Sequence, residues 1–515
     1  MHKIVKYIPG LLSVMVLSSC FSDKGNYDYT DINEIEIGKS GFETPYVVRA
    51  DVDELTISPT LVSNLDPDFK GNYSYEWVAV STRNSVGTRH VIGNERELRY
   101  KVKLPPDDYN IFFRVTDLDT DIMFSQSVPL TVNGSYTRGW LVACEDQAGN
   151  LVLDMMSISR DTLHLENILK AGLTHRDPVR VWVDNSPESF EENVYVCTAH
   201  DTYLYDRESF SKAEELRIFD PDSRGYRSNI VTTDIMRIKE KRTLSLSDGQ
   251  AYVNTSLSGG EYGTPSNYYL LEDGYDYFPV GSTLACNHTN ESSSAGAVDQ
   301  YVLYNTRDAR FCYLQPMARN FRDLTDKDTQ EAFSWNTKND FGATGLEFVT
   351  TVNSMFSGGQ SATILRNPVD GSYHIYTYTI SRMGGSVTKG ARYAVPAGTP
   401  GFGDGMTAAM TTRQGYLIFA SGDTLYGYDF RKGNTPVALR TFPGEVITAV
   451  YGDIVSEQCM DDFFYVATYH AGATGSRGGT IHKYSVEDTP ERISVKRELA
   501  WTGFPRVVNM HYKQF

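Results

Sequence analysis

Three aspartates alternate in the stretch TDLDTD, Asp117, Asp119 and Asp121, and carboxylates so spaced are a starting point for calcium binding. An EF-hand loop would need a glycine after the third acid and a bidentate glutamate further on, where this chain has Ile122 and Val128. A tight acidic hairpin turn accounts for the stretch better, and no metal site is expected. The ten histidines are scattered, and none forms His-x-x-x-His or His-Glu-x-x-His, the spacings that put two ligands on one helical face. His470 and His482 could meet across a hairpin, a placement more often decorative than ligating.

Catalytic constellations are equally sparse. Neighbouring acids such as Asp461-Asp462 and Glu191-Glu192 face opposite sides of a strand, so they do not form a glycosidase pair. No Gly-x-Ser-x-Gly elbow is present. GGEYGTP and GATGSRGG are glycine-rich but lack the strand-to-helix setting and the Lys-Ser/Thr that phosphate binding requires. The expectation is a protein without catalytic residues and without a cofactor. What remains is a binding surface. The longest irregular stretches, CNHTNESSSAGAVD and MARNFRDLTDKDTQEAFSWNTKNDFGATG, are the candidates for its rim. In the second, Trp335 with Phe333 and Phe341 offers flat apolar area for a sugar face or a peptide side chain. Packing of Trp335 against a neighbouring sheet is the competing reading.

One residue near the start has a chemistry of its own. Lys3 and Lys6 precede a run, Ile8 to Leu17, that is apolar apart from Ser13 and the Pro9-Gly10 pair. That length suits a secretory core of about 7–15 residues and falls short of the roughly 20 that a spanning helix needs. The run ends in Leu-Ser-Ser-Cys, which resembles the bacterial lipobox and marks Cys20 as the lipidated first residue of the mature chain. Each buried acyl methylene contributes roughly 0.8 kcal/mol, so a multiply acylated Cys20 holds a globular body at a membrane without a spanning helix.

The elements that must position any site are strands. With 515 residues the chain is too long for one ordinary core, and 34 Tyr and 24 Phe favour β structure. A net charge of -17 excludes nucleic acid as a partner, because phosphate binding needs a basic footprint. Beyond Cys20 the cysteines, Cys144, Cys197, Cys286, Cys312 and Cys459, are odd in number and far apart, so they read as buried small hydrophobes, not a disulfide framework.

Residues 1–19 read as signal peptide and 20–40 as a polar tether. Over 41–133, short alternating runs (YVVRA, ELTISPTL, YSYEWVAV, YNIFFRVTD, VPLTV) suit a small β-sandwich with Trp77 plugging its core. From 138 to 515, similar apolar units start at Gly139, Asn193, Thr243, Gln300, Ser361, Gly415 and Phe463. That repetition predicts a β-propeller of seven blades, closed by joining the strand at Trp140 to late strands near Trp501 to Met510. SFSKAEELRIFD and RDLTDKDTQEAFSW are the only helix signals.

The lipobox, CFSDKGNYDYTDINEI, YSYEW, FFRVTDLDTD and GWLVACEDQAGNLVLDM together resemble the PKD-like lipoprotein family of gut-commensal Gram-negative bacteria. The likeness is strongest over the first third of the chain. Tyr75-Glu76-Trp77 matches the Tyr-x-Trp element of the wider PKD pattern, and Val115-Thr116-Asp117 its Val-x-Asp. The usual Phe-Gly-Asp-Gly turn is replaced by Val78-Ala79-Val80-Ser81, which keeps an Ig-like fold and removes grounds for a shared ligand site. The resemblance implies an outer-membrane, surface-exposed auxiliary protein beside SusC/SusD-type importers, anchored by lipid and binding peptide or glycan. The expected fold is therefore all-β, an Ig-like, PKD-like sandwich followed by a propeller. A surface hydrolase using carboxylates on the propeller's central face, and a purely structural transporter subunit, are the alternatives.

Overall fold

The computed structural model describes residues 31–514 apart from 40, 41, 43, 44, 83–88, 159–160, 170–173, 186–192, 212, 221–222, 239–240, 256–261, 288–299, 315–317, 328–331, 382–385, 404, 434, 457, 474–475 and 488–492. Cys20 and the pair Glu191-Glu192 lie outside the described residues, as does most of CNHTNESSSAGAVD. The fold is nearly all-β. The described residues divide into two compact units. The first takes those up to Tyr46 with Glu54–Tyr100 and Asp108–Leu130; the second takes Val47–Asp53, Lys101–Asp107 and the chain from Thr131 onward.

In the first part of the chain, a five-stranded sheet runs in the order Tyr46–Arg49, Ile122–Asn133, Asp107–Asp117, Tyr73–Ser81, Arg89–Gly93. Ile35–Gly38 pairs with Thr60–Ser63, and Glu54–Ile57 with Leu98–Lys101. Trp77 is fully buried, stacks on Phe113 at 4.3 Å and donates its indole N–H to the Glu95 carbonyl at 2.8 Å. Glu76, one residue earlier and on the other face, pairs with Arg89 and Arg114. The period of two thus sorts ring from charge, as the pleat requires. Asp117 closes the acidic turn: its carboxylate accepts the Asp119 and Thr120 amides and the Asn33 side chain. The Asn33 hydrogen bond comes first among the groups holding the Asp117 carboxyl below its ordinary range.

The larger unit is a succession of antiparallel sheets. Sheet A joins Gly139–Glu145, Leu151–Ile158 and Thr162–Leu165 to the C-terminal strand Arg506–Lys513. Sheet B is Pro178–Val183, Asn193–Thr198, Thr202–Asp206 and Ala213–Glu215; sheet C is Thr232–Ile238, Lys241–Leu246 and Ala251–Thr255. Sheet D is Ala285–Cys286, Tyr301–Asn305, Arg310–Leu314 and Phe321–Asp323. Sheet E is Glu347–Asn353, Gln360–Arg366, Tyr373–Ile380 and Val387–Val395. Sheet F is Thr407–Met410, Leu417–Ser421, Thr424–Tyr428 and Val437–Thr441, and sheet G is Val446–Gly452, Phe463–Tyr469, Gly479–Glu487 and Ser494–Phe504.

Successive residues of the middle strands feed different cores. In sheet A, Leu141, Ala143, Leu153 and Met155 meet Val181, Val183, Val194 and Val196 of sheet B, while Trp140, Val142, Cys144 and Met156 meet Tyr465, Ala467 and Ile481 of sheet G. In sheet B, Trp182, Tyr195 and Cys197 turn instead to Ile235 and Leu244 of sheet C. Similar clusters join C to D, D to E, E to F and F to G. A strand buried on both faces reads as a continuous apolar run, which is why the middle strands stand out in the sequence. The strand at Trp140 does join the chain's end, in a register that pairs Trp140 with Tyr512 and Val142 with Met510.

Two helix expectations are overturned. SFSKAEELRIFD contributes strands Ala213–Glu215, paired on Tyr203–Tyr205, and Ile218–Asp220. The Arg322–Trp335 stretch begins inside the edge strand Phe321–Asp323, and its other described residues form no helix. Among the described residues the α-helices are short: α1, Thr337–Phe341, capped by the Asn336 side chain, and α2, Phe356–Gly359. Four of the cysteines are buried as expected, whereas Cys459 is half-buried in a turn.

Candidate functional site

A groove of about 620 Å³ opens where sheets D and E adjoin. Val280, Gly281 and Ser282 line it from the loop entering sheet D, and Thr306 from the turn between that sheet's second and third strands. Thr344, Leu346, Glu347 and Phe348 come from the chain after α1, and Pro368 from a turn of sheet E. Each segment is fixed by local chemistry. Asn305 accepts the amides of Arg307 and Asp308, and Thr306 donates its amide to the Pro279 carbonyl, so the hairpin turn is held from both sides. Gly345 adopts φ +64°, and a Cβ there would lie 2.4 Å from Ala309, so only glycine fits. Leu346 then donates to the Thr337 hydroxyl and accepts from Tyr304, fixing the loop after α1.

The lining mixes hydroxyls with one carboxylate and one ring. Ser282, Thr306 and Thr344 are exposed. Glu347 pairs with Arg366 at 3.3 Å, but both are well exposed, and such a pair is worth little, so the carboxylate can exchange its partner for a ligand. Phe348 lies over Gly281, where an added Cβ would sit 2.8 Å from the ring. This arrangement can hydrogen-bond a polyhydroxylated or amide-rich ligand and cover one apolar face. Its lining holds no histidine, lysine or cysteine that could act as base or nucleophile.

The three aromatic residues expected to stack on ligand lie elsewhere. Trp335 and Phe333 are only 3% and 4% exposed and belong to the core between sheets D and E, with Phe311, Tyr376 and Tyr378. Phe311 donates its amide to the Trp335 carbonyl, which draws the segment against sheet D. Lys389 lies 5.2 Å from the Phe333 ring and 5.3 Å from that of Trp335, and bonds Asp326 and the Phe333 carbonyl. Phe341, half-buried, is covered by Arg392 at 5.0 Å and by His374 at 4.5 Å. The rings' partners come from their own chain. The same irregular segment nevertheless supplies Thr344 to the groove.

Carboxylates on or beside the strands Pro178–Val183, Thr232–Ile238 and Phe463–Tyr469 are tied down. Asp234 pairs with Arg180 and accepts the Leu284 amide at 2.8 Å, and Asp184 pairs with Arg237. Asp462 accepts from Thr412, Arg413 and Gln414. His470 and His482 are not brought together: His482 pairs in register with Val466, and His470 binds the Gly444 carbonyl. Among the described residues no group of three or more His, Cys, Asp or Glu could hold a metal ion, and no helix is long and apolar enough to cross a membrane.

Buried titratable groups should make the unit acid-sensitive. Burial pushes His374 and His482 down to about 4, and each leaves its Nδ1 without a partner in the fold. Burial alone would raise the Asp154 carboxyl, but His164 at 2.8 Å, Arg477 at 2.8 Å and the Asn167 amide hold it low. All three shifts are downward, so their stabilisation is present above the unfolded-state values and is lost as pH falls through the folded ones. Unfolding free energy should drop between pH 6.5 and 4, by about 3 kcal/mol per histidine. His482→Phe should flatten that slope in urea titrations; an unchanged slope would refute the assignment.

Residues 20–171 match the PKD-like family. No curated protein matches the chain. Among solved structures, a quinonprotein alcohol dehydrogenase-like protein from Bacteroides thetaiotaomicron VPI-5482 is 12% identical at a TM-score of 0.37, with 93% of this chain and 99% of that chain covered. The yeast heterotrimeric Nup82-Nup159-Nup116 nucleoporin complex gives 8% identity and a TM-score of 0.36, covering 70% and 98%. YCF48 from Cyanidioschyzon merolae gives 12% and 0.32, covering 67% and 98%. Scores of this size carry no weight for this chain's chemistry.

Proposed function

We propose that this protein is a non-catalytic lipoprotein of the outer membrane, facing the cell surface, that captures a peptide or glycan nutrient for a SusC/SusD-type importer. In this reading acyl chains on Cys20 hold the membrane, the PKD-like sandwich is a spacer, and the larger unit is a seven-bladed propeller. The cyclic succession of cores, A with B through G with A, supports the blade count. The observation that carries the capture reading is the groove beside Glu347: it is within the size range of small-ligand sites and is rich in hydroxyls, while carboxylates a hydrolase could use, Asp184 and Asp234, are bound by arginines.

Two experiments test it. Labelled palmitate should enter the wild-type chain in cells and be lost in Cys20→Ala; a chain released into the medium without label would refute the anchor. A panel of peptides and oligosaccharides should yield saturable binding without turnover, weakened about tenfold by Glu347→Gln and by Gly281→Ala, whose methyl would displace the Phe348 ring. Hydrolysis of any panel member would overturn the non-catalytic reading.

A further inference from the structure

A hairpin between sheets C and D presents an aromatic face on which Leu270, Tyr275 and Tyr277 are exposed. Tyr268–Leu271 pairs with Gly274–Tyr277 so that Tyr268 opposes Tyr277 and Leu270 opposes Tyr275, placing these four on one face and Tyr269 and Asp276 on the other. The second face is anchored. Tyr269 donates to Asp323 at 2.7 Å and accepts from Asn305 at 3.1 Å, and Arg307 grips both Asp276 oxygens at 2.9 Å. The hairpin is therefore held rigidly with its first face outward. There Leu270 is 74% exposed and Tyr275 55%, large apolar area for a folded surface.

Ring geometry and charge narrow the partner. The ring centroids of Tyr268, Tyr275 and Tyr277 lie 4.6, 5.7 and 6.1 Å apart, with interplanar angles of 67°, 65° and 53°. Three mutually tilted rings make a corner, not the level platform that a sugar face would lie on. At the turn Glu272 and Asp273 are exposed and have no counter-charge among the described residues, on a chain whose net charge is -17. A cationic head fits the carboxylates and tyrosine faces, and the aliphatic stem behind it fits the apolar corner.

We propose that this hairpin is a docking surface for a basic polypeptide segment that also carries apolar side chains. The site shares no residue with the groove lining and does not depend on the groove's being a nutrient site. The test is calorimetric titration of the full chain with a peptide of three Lys-Leu-Ser-Arg repeats, beside an analogue with glutamate at every basic position and a neutral linear oligosaccharide. The basic peptide should bind, weaken at least tenfold with Tyr275→Ser and with combined Glu272→Gln and Asp273→Asn, and weaken as salt is raised. Glu347→Gln, which alters the groove alone, should leave this binding unchanged. Leu270→Ser, exposed and outside the ring cluster, serves as a second variant should Tyr275→Ser fail to fold. Absence of binding, equal binding of the acidic analogue, competition by the oligosaccharide, or indifference to the hairpin substitutions would each overturn the proposal.

Discussion

Trp140→Ala should destabilise the larger unit by about 3–5 kcal/mol, the range for truncating a buried tryptophan. Trp140 is 2% exposed and holds ring contacts with Tyr465 at 4.6 Å, Tyr512 at 5.1 Å and Tyr451 at 5.4 Å. Two of these partners belong to sheet G and one to the C-terminal strand, so a single side chain ties the Gly139–Glu145 strand to sheet G and to the chain's last strand. The surrounding rings belong to paired strands and cannot collapse far into the vacated space, which keeps the cavity term large. Urea unfolding followed by circular dichroism should show the midpoint of the larger unit falling while that of the first unit holds. Trp77→Ala should do the reverse, because Trp77 packs on Phe113 in the first unit. A loss below about 1 kcal/mol for Trp140→Ala would mean that this core is not what holds the closing strand.

Much of the fold was legible because the middle strands of each sheet are buried on both faces. GWLVACE, NVYVCT and FFYVATY read as apolar runs for that reason, and their spacing marks the repeat. The flanking strands were not legible. Thr232–Ile238 carries Asp234 and Arg237, which pair with arginine and aspartate on the neighbouring Pro178–Val183 strand and the residue after it, and Ala285–Cys286 is too short to carry a pattern. SFSKAEELRIFD shows helical spacing, but pairing of Ala213–Glu215 against Tyr203–Tyr205 overrides it, as edge contacts often override propensity.

The candidate sites divide in the same way. Trp335 stood out as a lone tryptophan in an irregular segment, but the cation covering it, Lys389, and that cation's partner, Asp326, are distant in sequence, and nothing local announces them. The groove is assembled from four segments and has no motif. The tyrosine hairpin did leave a trace, since YYLLEDGYDY places Asp273-Gly274 between aromatic runs, a strong short-range hairpin signal. Which of its faces would be outward depended on Arg307 and Asp323, whose positions only the folded chain fixes.

Lys513→Met should reverse the usual expectation that removing a buried hydrogen-bonding group destabilises. The Lys513 side chain is fully buried at the end of the C-terminal strand, with its Nζ donating to the Thr137 carbonyl at 2.9 Å and Glu208 4.0 Å away. Burial pushes its pKa down to about 8, an effect that Glu208 only partly offsets. A lysine with a depressed folded value favours the native state only when neutral, so its contribution is complete above the unfolded value near 10.5 and is lost as pH falls through 8. At about 1.36 kcal/mol per pKa unit, the difference between pH 7 and pH 10.5 is about 3 kcal/mol. Methionine keeps the apolar stem and forfeits the hydrogen bond to the Thr137 carbonyl, worth about 1 kcal/mol. The variant should therefore be about 1–2 kcal/mol more stable than wild type at pH 7 and about 1 kcal/mol less stable above pH 10.5, where both lysine states are neutral. Paired urea titrations at pH 7, 9 and 10.5 give the difference directly and cancel the tyrosines that titrate in the same range. A variant less stable at pH 7 by an amount that does not change with pH would show that the strand's end keeps its charge without penalty.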